Sequence, residues 1–170
     1  MLVENLPDSY QADLVAALGD VDGAVRAESA DALRELVEVL PDPAAVAPYL
    51  TSADPIVRAV TLYVLSSRRV GAAPDYRAAV TDSDHRVRIE AVRALVSVDD
   101  VDGVAAAADD DNREVRIAAS NGLATLGSGA DTVRQLLADR DPLVRAAALA
   151  ALAAVGCAEQ DVPEVQRALR

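Results

Sequence analysis

The 170-residue chain has no tryptophan and no phenylalanine, and only one cysteine, one histidine and one methionine. Lysine is absent as well, so all 16 basic residues are arginine, against 28 acidic ones. Each absence excludes something. With Cys157 alone, no intramolecular disulfide and no cysteine-based metal cluster can form, and a lone cysteine near a helix end acts as a small apolar residue. His85 has no second His or Cys to complete a ligand set or a base–nucleophile pair, and its place in a turn fits an exposed residue. The net charge of −12 opposes nucleic acid and anionic membranes as partners, because both need a basic face. The stretch MLVENLPDSYQADL lacks the basic and then apolar runs of a secretory signal. No apolar run approaches the ~18 residues of a membrane span, so a cytoplasmic protein is expected. The Lys-free, acidic composition fits a GC-rich genome or a salty cytoplasm, and neither bears on function.

What the chain does contain is repetition. The stretch DRDPLVRAAALAALAAVG at Asp139–Gly156 has four earlier versions, marked by the pairs Val25-Arg26, Val57-Arg58, Val87-Arg88 and Val115-Arg116, before Val144-Arg145. The spacings of 32, 30, 28 and 29 residues lie in the range of stacked repeat arrays. Each copy predicts one longer helix, here the B helix. Counted from its Val, offset 4 is small (Ser29, Thr61, Ala91, Ala119, Ala148) and offset 8 is always Leu (Leu33, Leu65, Leu95, Leu123, Leu152). Offset 11 is Leu36, Arg68, Val98, Leu126 and Val155. Offsets 0, 4, 8 and 11 share one helical stripe and form the expected core seam.

Asp or Ser stands five residues before each Val, and Asp or Asn three before it, in the pattern of helix N-caps. Pro55 and Pro142 fit the first helical position, and Gly127 and Gly156 fit helix stops. Shorter A helices are expected near Ser9–Leu18, Pro43–Leu50, Pro74–Val80, Asp100–Ala108 and Asp131–Ala138, with Val162–Leu169 as a terminal cap. No segment alternates long enough for a strand. The expectation is one domain over residues 1–170, all-α, a right-handed α-solenoid of five helical hairpins (about 9–40, 41–70, 71–98, 99–127 and 128–156) closed by a cap helix at 158–170.

The five Val-Arg-x-x-small-x-x-x-Leu stretches, each behind an acidic turn, and the segment AAVAPYL at Ala44–Leu50 resemble HEAT repeats of the short-period, phycobilisome-lyase-like variety. In that family a proline such as Pro48 commonly kinks the A helix. The resemblance implies that Arg26, Arg58, Arg88, Arg116 and Arg145 bond the Asp-rich turns of their own or the next repeat, as a structural ladder. It implies as well that the B helices line a concave groove. The label covers scaffolds, adaptors, chromophore lyases and nucleic-acid enzymes, so it bears on fold more than on function.

On the B-helix face opposite the seam, offsets 3, 6 and 10 change along the chain. They read Glu28, Asp31, Glu35; then Val60, Tyr63, Ser67; Glu90, Arg93, Ser97; Ala118, Asn121, Thr125; and Ala147, Ala150, Ala154. A solvated face explains the first row. Tyr63 beside Val60, Glu90, Arg93 and Asn121 suggests binding anchors, since Tyr and Arg are favoured there. The Ala facet of the fifth repeat (Ala146, Ala147, Ala150, Ala154) is explained first by helix propensity and alternatively by docking of a helix from a partner or from a second copy in a homodimer. The aspartates at Asp99–Asp102 and Asp109–Asp111 lack EF-hand spacing, and capping explains them. No metal, cofactor or catalytic residue is expected. Two departures stand out: Arg68-Arg69 should end the second B helix near Ser67, and Asn121-Gly122 interrupts the fourth, through drift or close backbone approach. The function expected is a non-catalytic scaffold or adaptor holding a protein or peptide in the groove. The alternative is a lyase-like or enzyme-accessory subunit cradling a small ligand near Tyr63, Glu90 and Arg93.

Overall fold

A computed structural model describes residues 7–156, 158 and 161–168. Cys157 and Leu169 lie outside the described residues. The described chain is all-α, a solenoid in which short segments alternate with longer helices. The B helices are α2 (Gly23–Glu35), α3 (Pro55–Ser67), α5 (His85–Ser97), α7 (Arg113–Leu126) and α9 (Pro142–Val155). They pack side by side in chain order. The A segments are α1 (Asp8–Ala17), a 3₁₀ stretch at Pro43–Thr51, α4 (Ala73–Ala79), α6 (Val101–Ala106), which runs into a 3₁₀ turn, and α8 (Ala130–Leu136). Each leans on the B helix that follows it, and α10 (Val162–Ala168) closes on α9.

The stripe that the sequence repeats becomes one continuous apolar core. Val57, Val87, Val115 and Val144 are fully buried, as are Leu33, Leu95 and Leu123. Val25 is the exception, 40% exposed. Its helix is the first B helix of the described stack, so no preceding hairpin covers that flank. The second A segment also departs from expectation. Instead of an α-helix kinked at Pro48, Pro43–Thr51 winds throughout as 3₁₀. Pro48 lacks an amide and its ring displaces the carbonyl four residues back, which removes the α-helical bond pattern from so short a segment.

Local chemistry sets the element ends. Asp22, Asp54, Asp84, Asn112 and Asp141 each accept the amide two residues on, at 2.8–2.9 Å, as N-caps. The residues five before the Val stand one step earlier: Asp20, Asp82, Asp110 and Asp139 accept the amide of the capping residue itself at 2.7–2.8 Å. They shape the turn, and Asp82, Asp110 and Asp139 also receive the arginine of the preceding repeat. At the far end of α3, α5 and α7 the residue at offset 12 adopts left-handed backbone (Arg69 φ 52°, Asp99 φ 56°, Gly127 φ 59°). In each case the next amide closes back on the Leu at offset 8 (3.0, 3.0 and 3.2 Å), a Schellman closure.

The two sequence departures have physical causes. α3 ends at Ser67, and Arg68 Nη1 then donates to the carbonyls of Val37, Glu38 and Leu40 at 2.8, 2.9 and 3.2 Å. Arg68 thereby satisfies the backbone where α2 unwinds into its own 3₁₀ turn. Gly122 is buried, and a Cβ there would stand 2.9 Å from Val96 Cγ2 and 3.0 Å from Val104 Cγ1. Close packing, not drift, accounts for that glycine.

Candidate functional site

Two polar systems run along the stack. The first is the arginine row on the turn edge. Arg58 donates through Nε and Nη2 to both oxygens of Asp82 in the next repeat, each at 2.7 Å, and through Nη1 to Ser52 O at 2.7 Å. Arg88 repeats this with Asp110 (2.7 and 2.8 Å) and Asp82 O, and Arg116 with Asp139 (2.8 and 3.0 Å) and Asp110 O. Arg26 pairs instead with the N-cap Asp54 at 2.8 Å, because Ser52 occupies the usual aspartate position. Arg145 donates to Asp139 O at 3.1 Å. Arg26, Arg58, Arg88 and Arg116 each grip the turn of their own repeat and a carboxylate of the next. The bond from Arg58 holds the Asp82 carboxyl below the ordinary range, against its burial. Burial would raise Asp110 and Asp139, but the bonds from Arg88 and Arg116 and from the turn amides outweigh it, and both lie low.

At the C-terminal end a similar tie was not foreseen. Asp161 is buried and accepts from Arg134 Nε at 2.6 Å and from the Ala158 amide at 2.7 Å. Its signal lay in the repeat, since Arg77 and Arg134 both stand ten residues before their Val and Arg77 makes the same tie to Asp100 at the start of the next A segment.

The second system lies on the outward face of the B helices. Tyr63 on α3 is half-buried, and the Arg34 guanidinium stacks over its ring at 4.8 Å from the centroid. Arg34 Nη1 also reaches Glu90 Oε1 on α5 at 3.5 Å, and Arg93 Nη1 donates to the same oxygen at 2.9 Å. Arg34 thus joins three B helices, meeting α3 at the Tyr63 ring and α5 at the Glu90 carboxylate. Glu90 is 7% exposed and its second oxygen, Oε2, meets no donor among the described residues, whereas the Arg93 side chain is 62% exposed. Beside this group opens a cleft of about 480 Å³ bordered by Tyr63, Ser66, Glu90, Arg93, Ser97 and Thr125. It adjoins a trench of about 320 Å³ between α5 and α7 with Ile89, Val92, Val96, Ile117 and Ala118 along its walls and Asn121 at the rim.

The structure therefore brings Tyr63, Glu90 and Arg93 together and sets Asn121, exposed, on the adjoining trench. Val60 is a correction. Expected on the groove face, it is fully buried in the core. At 100° per residue, offset 3 stands roughly 95° from the centre of the seam, at its flank, so it faces a neighbouring B helix. Glu90, at the same offset, is buried for the same reason. Arg34 went unrecognised. Its signal was present, as the one basic side chain among Glu28, Asp31 and Glu35 on α2. On α9, Ala146, Ala150 and Ala154 are exposed and Ala147 is half-buried. His85 is exposed at the first turn of α5. Among the described residues no group of three His, Cys, Asp or Glu is arranged to hold a metal ion, and no helix is long and apolar enough to cross a membrane.

Comparison with known proteins agrees on architecture. The family described as HEAT repeats matches residues 101–170. Among solved structures, an engineered protein shares 20% identity at a TM-score of 0.63, covering 94% of this chain and 85% of that one. A second engineered protein shares 20% at 0.64, covering 93% and 86%. A designed armadillo repeat protein in complex with the peptide (KR)4 shares 18% at 0.67, covering 87% and 82%. No curated protein matches the sequence. At these identities the likeness is one of fold, that of an α-helical repeat solenoid.

Proposed function

We propose that this protein is a non-catalytic scaffold that binds a peptide or protein segment along the outward face of its B helices, centred on Tyr63, Glu90, Arg93 and Asn121. The observation that supports it is the half-satisfied carboxylate of Glu90 beside a polar cleft and an apolar trench. Rigid side chains from successive helices suit an extended or helical segment, because each repeat offers one more contact along the same line. The peptide-bound armadillo neighbour shows that a fold of this kind accommodates a peptide. Its ligand is basic, whereas Arg69 and Arg93 border this cleft and Arg34 bonds Glu90 beside it, so the likeness does not extend to ligand charge.

The test uses the exposed members only, since Tyr63 packs against the core and its removal would cost stability. Immobilised wild type and the Arg93→Glu/Asn121→Arg double variant are compared for capture from an extract of the native host. A protein retained by wild type and lost by a folded double variant is the expected result. Equal capture by both sinks the assignment of this face.

A further inference from the structure

Glu90 offers one oxygen to Arg93 and Arg34 and leaves the other, buried, without a donor. A carboxylate only accepts, and a buried acceptor without a partner is unfavourable until a donor arrives. The groups around it decide which donor. Arg69 and Arg93 border this cleft with Glu90 and Asp99, and Arg34 reaches Glu90 from α2, so three guanidiniums stand around two carboxylates. A lysine or arginine would add a fourth cation beside three, and an aspartate or glutamate would place its charge against Glu90. An uncharged N–H or O–H meets neither penalty. Immediately beside it, the trench between α5 and α7 offers an apolar wall that Gly122 brings close, at the low end of the volumes that ligand clefts show.

We propose that cleft and trench together recognise a partner segment presenting an uncharged donor, an Asn, Gln, Ser, Thr or Trp side chain, to Glu90 Oε2, and an adjacent large apolar side chain to the trench. This rests on the peptide-binding reading above and names the chemistry that the partner brings. Glu90 then acts as the specificity residue and Arg93 as the group that positions its carboxylate.

A random peptide library displayed on phage tests it, selected on the intact protein. The expected enrichment is a Leu, Ile, Met or Phe beside one of those uncharged donors. The best peptide, synthesised, should bind Glu90→Gln about tenfold or more weakly than wild type, because an acceptor to a buried donor is lost. An analogue with that donor replaced by Ala should bind wild type and Glu90→Gln alike. Asn121→Arg, on the exposed rim, should block the trench with the helical signal intact, and it decides the matter if Glu90→Gln does not fold. Enrichment of Lys, Arg, Asp or Glu at the donor position overturns the inference while leaving peptide binding in place. So does a selected peptide that binds both variants as well as wild type. A selection that enriches nothing overturns both readings.

Discussion

Along the turn edge, Arg58, Arg88 and Arg116 make the same fork to the same aspartate of the next repeat. On the outward face of the same helices, Tyr63, Arg93, Asn121 and Ala150 share a sequence offset and little else. The edge is uniform and its charges are met by carboxylates and turn carbonyls. The face is varied and leaves Glu90 Oε2 unmet and Arg93 largely in solvent. Uniform satisfied contacts are what stacking requires, since each repeat must present to its neighbour what its neighbour presents to the next. Stacking asks nothing of the outward face, so variation there is free to follow a partner. The contrast can be broken by experiment.

The largest expected effect is acid unfolding through the edge. Asp82, Asp110 and Asp139 all have carboxyls held low in the fold. The unfolded chain therefore takes up protons at higher pH than the folded one. The stabilisation is complete above the ordinary carboxyl range, about pH 4, and disappears as pH falls through the folded values. Urea midpoints should be level from about pH 8 to 5 and drop steeply below about 4. Asp110→Asn should start lower and fall less. A midpoint that stays level to about pH 2 would show that the edge contributes little.

Next comes a direct comparison of two arginines. Arg116 is 5% exposed, and its loss leaves the half-buried Asp139 without its two guanidinium bonds. Arg116→Ala should cost about 3 kcal/mol in chemical denaturation. Arg93→Ala also takes a donor from a buried carboxylate, but Arg34 still reaches Glu90 and the Arg93 guanidinium is largely exposed, so it should cost about 1.5 kcal/mol. Equal losses would abolish the distinction between edge and face. Smaller still is Gly122→Ala on α7. Overpacking against Val96 and Val104, about 1–3 kcal/mol, exceeds the ~1 kcal/mol that Ala gains in helix propensity. A net loss of about 1 kcal/mol is expected, and a stabilised variant would mean that the valines yield.

How much of this was legible in the sequence depends on the range of the interaction. Caps, the prolines at Pro55 and Pro142, and the end of α3 at Ser67 arise within one turn of chain, and their residues are adjacent in sequence. The seam was legible because its period repeats. What escaped reading depends on neighbours in space. Val25 carries the seam residue and is exposed because it stands at the end of the described stack. Val60 and Glu90 are buried because offset 3 meets the adjacent B helix, whose approach no single repeat encodes. Arg34 and Glu90 are 56 positions apart, and their meeting follows from stacking geometry alone.

The smallest effect sharpens the contrast from the side of strain. At offset 12, α7 uses Gly127 for its left-handed closure, while α3 uses Arg69 and α5 uses Asp99 with nearly the same φ. Left-handed backbone costs a residue with a Cβ about 1–2 kcal/mol, less for Asp, whose short side chain bonds locally. Glycine avoids that cost but loses more freedom on folding, so the net gain is smaller than the strain. Arg69→Gly should therefore raise stability by about 1 kcal/mol and Asp99→Gly by about half as much, whereas Gly127→Ala should lower it by about 1 kcal/mol. Both non-glycine residues border the cleft beside Glu90, and Gly127 does not. If the two glycine variants are more stable but bind the selected peptide more weakly, the strain is retained for the face and has nothing to do with stacking. If they are no more stable than wild type, Arg69 and Asp99 make compensating contacts, and the left-handed closure belongs with the edge as ordinary architecture.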